Sequence, residues 1–79
     1  MAENVIIYST ETCGYCRKAK AFLEENGISY TAVDVGEDKE KADEMKEKSG
    51  QLGVPVLDID GTIIVGFDRE SIRKALNLG

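Results

Sequence analysis

The run Val5-Ile6-Ile7-Tyr8, followed by a helical pattern that opens at Cys13, constrains this chain more than any other feature. Four apolar, mostly β-branched residues bounded by polar ones read as a buried strand. Over residues 14–26 the period changes. Cys16, Ala19, Phe22 and Leu23 fall on one helical stripe, with Lys18, Glu24 and Glu25 elsewhere. Asn26-Gly27 stops this helix in the usual C-terminal manner. Residues 30–35 alternate as a second strand, with Tyr30, Ala32 and Asp34 on one side and Thr31, Val33 and Val35 on the other. Two strands joined through a helix are expected to lie parallel, with a right-handed crossover.

The remaining pattern completes an α/β order. Residues 37–48 are rich in Glu and Lys and carry only Ala42 and Met45 as apolar positions, which predicts a surface helix with a thin contact stripe. Ser49-Gly50 ends it. Residues 54–59 read as a third strand, Asp60-Gly61 as a two-residue hairpin turn and residues 62–65 as a fourth strand. Asp68 is placed to cap a last helix whose apolar face is Ile72, Ala75 and Leu76. The expected order is β-α-β-α-β-β-α, with a four-stranded mixed sheet flanked by helices. The length of 79 residues fits a single domain over 1–79, with a small core, since a chain this short buries only about 60% of its unfolded surface.

Composition narrows the function classes. A net charge of −5 opposes nonspecific binding to nucleic acid or to an anionic membrane. No apolar run is long enough for a membrane-spanning helix. The opening MAENVIIYS lacks the basic and apolar regions of a signal peptide, so a cytoplasmic location is expected. The chain has no histidine, which removes any mechanism that needs an imidazole base or ligand.

The chemistry concentrates in Thr12-Cys13-Gly14-Tyr15-Cys16, which holds both cysteines of the chain. A C-x-x-C pair at a strand–helix junction suggests thiol redox chemistry. Residues i and i+3 of a helical turn lie about 5 Å apart at Cα, within the roughly 4.4–6.8 Å range of disulfides. Cys13 falls at the helix start, where unpaired N–H groups and the positive dipole end favour a thiolate. Cys16 falls one turn in, on the apolar stripe, and is expected to be more buried and more thiol-like. Cationic Arg17 and Lys18 follow in the same turn. Cys13 is therefore the expected attacking thiol and Cys16 the resolving one. Three other readings compete. A structural disulfide would close too short a loop to constrain the unfolded chain much, and a reducing compartment would open it. A zinc site needs four ligands, and the chain offers two cysteines and no histidine, so no metal site is expected. Two ordinary buried thiols are the third.

Pro55 is the only proline and opens the third strand. Taken alone it reads as a strand-start proline with a trans bond. Val65-Gly66-Phe67-Asp68 alone reads as a turn and a helix cap, with Phe67 equally suited to the core and to the surface.

Together these residues resemble the glutaredoxin branch of the thioredoxin fold, over nearly the whole chain. Tyr8-Ser9 leading to Cys13-Gly14-Tyr15-Cys16 is similar to the family's strand, loop and C-P-Y-C centre. Ser49-Gly50-Gln51-Leu52-Gly53-Val54-Pro55 is similar to its segment ending in T-V-P, and Gly66-Phe67-Asp68 to its G-G-x-D-D element. The resemblance implies a thioredoxin-like fold and a thiol-disulfide oxidoreductase that reduces protein disulfides, glutathione mixed disulfides or both through Cys13 and Cys16. It implies a cis Pro55 packed against the sulfur pair and a Val54 whose backbone bonds a peptide-like substrate. Tyr15 would line a glutathione groove, and Gly66, Phe67 and Asp68 would hold the γ-glutamyl end. Glutathione would be the reductant, with no tightly bound cofactor. Disulfide-containing proteins and glutathione would be the partners of a monomer, with no nucleic acid or membrane.

Several positions depart from that pattern. Gly14 stands in place of the usual proline, and Thr10 where many members have a lysine that pairs with a glutathione carboxylate. Leu52 and Gly53 replace a basic residue and a threonine, and Val65 the first of two glycines. Losing one charge-assisted contact costs about 1.5–3 kcal/mol, roughly ten- to a hundredfold in affinity. Gly66-Phe67 also resembles the small redoxins that donate electrons to ribonucleotide reductase and are reduced by thioredoxin reductase. A third reading is a dimer holding an iron–sulfur cluster through Cys13 of each chain.

Overall fold

The computed structural model describes residues 4–77. The ends of the expected domain, 1–3 and 78–79, lie outside them, as does part of the opening read for a signal peptide. The elements run β1 (Val5–Ser9), α1 (Gly14–Glu25), β2 (Thr31–Asp34), α2 (Lys39–Ser49), β3 (Val56–Ile59), β4 (Thr62–Val65) and α3 (Arg69–Ala75). This is the expected order. The sheet runs β2-β1-β3-β4, with β1 and β2 parallel and the other two pairs antiparallel.

Local chemistry sets the element ends. Asp38 caps α2 by accepting the N–H of Lys41, so the helix starts at Lys39 rather than at 37. Gly50 ends it in the left-handed region at φ 76°, where only glycine sits without a Cβ penalty. Asp60 and Gly61 both have positive φ, 50° and 93°, as a two-residue hairpin turn between right-twisted strands requires. β3 begins at Val56 rather than at 54, and the Val54–Pro55 bond just before it is cis. β2 spans four residues, shorter than the expected 30–35, and forms one edge of the sheet.

Alternation divides the sheet between two faces. Val5, Ile7, Leu57, Ile59 and Ile64 pack against Ala19, Phe22 and Leu23 of α1 and against Ile72 and Leu76 at α3. Tyr8 and Val56 face the other way, onto Met45 of α2. The α1 stripe read from the sequence is the buried set of that helix, Cys16 included. On the α2 face the core has a polar strap. The Tyr8 hydroxyl donates to Glu44 and accepts from Lys48 at 2.8 Å, while Lys48 also meets Asp58 at 2.8 Å. The strap ties α2 to β1 and β3, and it gives a fully buried tyrosine its hydrogen-bond partners.

Register brings four loops to one end of the sheet. Ser9 lies opposite Asp34, Tyr8 opposite Val56, and Val56 opposite Val65. The loop after β1, the segment before β3 and the turns after β2 and β4 therefore all leave the sheet side by side. Every residue singled out in the sequence for chemistry is on one of them or at the start of α1.

Candidate active site

Cys13 is the N-cap of α1, with extended backbone at φ −84° and ψ 110°. Its N–H reaches back to the Thr10 carbonyl at 3.4 Å, which closes the loop after β1. Its sulfur accepts the backbone N–H of Cys16 at 3.1 Å. The residue is half-buried, whereas Cys16 has no exposed surface, and both are free thiols. Burial pushes the Cys16 thiol up to about 11, and its hydrogen bond with Cys13 acts in the same direction. One helical turn thus produces two unlike sulfurs: one at the surface, served by a free helix N–H, and one held neutral in the core.

The two cations of that turn point elsewhere than at the sulfurs. Arg17 donates to the Glu11 carbonyl at 3.3 Å and braces the loop. The Lys18 ammonium stands 5.1 Å from the centre of the Tyr15 ring. Tyr15 is 63% exposed, so the intercysteine aromatic lies on the surface, with a cation against its face.

Pro55 is buried, and the bond before it is cis. Its carbonyl accepts the N–H of Gly66 at 2.8 Å, which pins the turn after β4 to the segment before β3. Gly66 holds φ 84°, a conformation that suits glycine. Val54 is half-buried, and among the described residues its backbone N–H and C=O have no partner. Phe67 turns its ring edge-on to Phe22, 6.2 Å between centroids, and joins the rim of the main core. Asp68 is exposed and caps α3, accepting from the Ser71 N–H at 3.2 Å and the Ser71 hydroxyl at 2.8 Å. Those bonds hold its carboxyl below the usual carboxylate range.

Two features of this end of the molecule escape a sequence reading. The carboxylates of Glu11, Asp34 and Glu37 come within 4.8 Å of one another across two loops, beside Thr10. They sit 23 or more positions apart on one side, so only the parallel pairing of β1 with β2 reveals them. The Gln51 side chain folds back on the backbone of Gly53. No spacing rule marks such a contact, since it depends on the turn that follows α2.

A glutaredoxin family model matches residues 5–64. The chain belongs to the glutaredoxin family. As a glutaredoxin it is 46% identical over 70 residues to a glutaredoxin-like 8.6 kDa protein of the Clostridium pasteurianum rubredoxin operon, covering 89% of this chain and 93% of that one. It is 42% identical over 65 residues to glutaredoxin 3 of Escherichia coli K12, covering 82% of this chain and 78% of the other. The solved structure of a glutaredoxin from Methanosarcina mazei superposes with a TM-score of 0.86 at 30% identity, covering 95% of this chain and 79% of that one. The four-stranded mixed sheet with α1 and α3 on one face and α2 on the other is thus the thioredoxin-like fold. The chain is a glutaredoxin-type thiol-disulfide oxidoreductase. Among the described residues no helix is long and apolar enough to cross a membrane.

Proposed function

We propose that this glutaredoxin works as one domain that reduces protein disulfides and glutathione mixed disulfides through a Cys13/Cys16 dithiol. The observation that carries the reading is the contrast within one turn: Cys13 Sγ accepts the Cys16 N–H, and Cys16 itself is buried as a neutral thiol. The Cys13 thiolate attacks one sulfur of the substrate disulfide. A Cys13–substrate disulfide forms, and the other substrate sulfur leaves as a thiolate that takes up a proton. Cys16 then loses its proton and attacks Cys13 Sγ. The Cys13–Cys16 disulfide forms, the second substrate thiol is released, and two electrons have passed to the substrate. Two glutathione thiols return the pair to the dithiol by successive exchange and leave as glutathione disulfide. Chemistry of this kind belongs to a compartment that keeps thiols reduced, and we place the protein in the cytoplasm.

The groove follows from the same end of the sheet. The unpartnered N–H and C=O of Val54 suit the backbone of a peptide-like substrate, as an added strand would be bound. Tyr15 forms one wall with Lys18 against its face. Pro55 and Gly66 form the floor, and the α3 start at Asp68 receives the amino end of glutathione. Phe67 backs the groove from the core side.

One observation favours a second reading, in which the electrons come from thioredoxin reductase and go to ribonucleotide reductase. Thr10 supplies no cation for a glutathione carboxylate, and Glu11, Asp34 and Glu37 make that side of the site acidic. The deciding experiment follows the thiols of the oxidised protein after mixing with glutathione, or with thioredoxin reductase and NADPH. Fast reduction by glutathione supports the first reading. Reduction by thioredoxin reductase alone replaces it with the second.

A further inference from the structure

The link between α2 and the cis proline is held by one side chain. Gln51 Oε1 accepts the N–H of Gly53, and Gln51 Nε2 donates to the Gly53 carbonyl at 3.0 Å. The side-chain amide thereby does for Gly53 what a facing residue does across an antiparallel pair, exchanging both bonds. Gln51 is itself anchored. Its N–H reaches the Ser49 hydroxyl at 3.4 Å, and that hydroxyl donates to the Met45 carbonyl at 2.7 Å. An unbroken chain of contacts therefore runs from the buried turn of α2, through Ser49 and Gln51, to Gly53 and the adjoining Val54.

Gly53 is explained by this clamp. Its φ lies outside the left-handed region, so its backbone conformation does not demand glycine. A Cβ there would lie 2.6 Å from Gln51 Oε1, closer than any real Cβ contact. Because the obstructed atom is the end of a flexible side chain, an added methyl would expel the amide and leave the backbone able to stay.

We infer that Gln51 is a positioning residue: its clamp on Gly53 fixes the ledge on which Val54 presents its backbone to a peptide disulfide. The inference rests on the reading of Val54 given above. The substrate class it serves is a disulfide flanked by peptide backbone. A small disulfide without peptide groups has nothing to pair with the ledge.

The test follows reaction of the reduced protein, in single turnover, with a cystine-bridged peptide and with bis(2-hydroxyethyl) disulfide. Gln51→Ala and Gly53→Ala each slow the peptide reaction about three- to tenfold, the scale of one net hydrogen bond, and leave the hydroxyethyl reaction unchanged. Gln51→Glu, which keeps the acceptor and loses the donor, falls between. The double variant is no slower than either single one, because both remove the same contact. Unchanged peptide rates, equal losses on both disulfides, or single effects that multiply in the double variant would each overturn the inference while leaving the dithiol reading intact. A wild-type protein that reacts with neither disulfide would overturn both.

Discussion

The backbone N–H of Cys16 points at the sulfur of Cys13, 3.1 Å away. This N–H is one of those a helix leaves unpaired in its first turn, and the capping atom is a sulfur rather than the usual oxygen. The residue that supplies it is the one whose own side chain is buried. The difference in exposure between the thiols is thus built into a single helical turn.

Removing each thiol in turn separates the two steps. Cys13→Ser leaves no detectable reaction with any disulfide. Cys16→Ser still attacks but cannot resolve, so it accumulates a mixed disulfide at Cys13, seen as one thiol adduct by intact mass. Full turnover by Cys13→Ser would reverse the assignment.

Cys16 also makes stability depend on alkaline pH. Its thiol is raised in the folded protein, from 9.0 to about 11, so the folded state holds its proton more tightly than the unfolded state does. The resulting stabilisation is complete below about pH 9 and is lost as pH rises towards about 11. Its size is on the order of 3 kcal/mol. Urea midpoints of the wild type should fall over that range. Cys16→Ala, whatever its overall stability, should fall less steeply, and parallel curves would deny Cys16 this role.

The polar strap makes an asymmetric prediction. Tyr8→Phe removes a buried hydroxyl and releases Glu44, which can turn to water, while Lys48 keeps Asp58, and it costs about 0.5–1.5 kcal/mol. Lys48→Met leaves Asp58, whose side chain is only 14% exposed, without its cation, and it costs about 1.5–3 kcal/mol. Denaturant unfolding of the two variants at neutral pH checks the order. Equal costs would mean that Asp58 finds other partners.

What the sequence made legible was local. The helical stripe of Cys16, Ala19, Phe22 and Leu23, the Asp60-Gly61 turn and the Asp68 cap each depend on residues within one or two turns of each other. The strap did not show. Glu44 and Lys48 have helix-pair spacing, but their target, Tyr8, lies 36 and 40 positions away and becomes visible only when α2 covers β1. Phe67 suited core and surface equally because its fate depends on Phe22, on another helix. The strand joining β1 on its second side could not be read from patterns alone, since an apolar run carries no record of its neighbour. The cis bond at Pro55 came from family resemblance, as the residue by itself favours trans.

Gly14 offers the last test, because it is the departure from the family that the structure shows to be free of constraint. It is the first helical residue after the Cys13 cap, a position where proline's fixed φ suits the helix and its missing N–H is unneeded. A Cβ there would meet nothing within 4 Å. Cys13, at φ −84° and ψ 110°, already has the extended backbone that a following proline imposes. Gly14→Pro should therefore stabilise the protein by about 0.4–1 kcal/mol, chiefly by restricting the unfolded chain. For a domain of this size that is a rise of about 2–8 °C in Tm. The same stiffening acts on the segment between the two sulfurs, so the reduction potential should shift along with Tm. Thermal melts of the reduced protein and equilibration against glutathione redox buffers measure the two effects. A lower Tm would mean that Gly14 needs a freedom that its surroundings do not reveal.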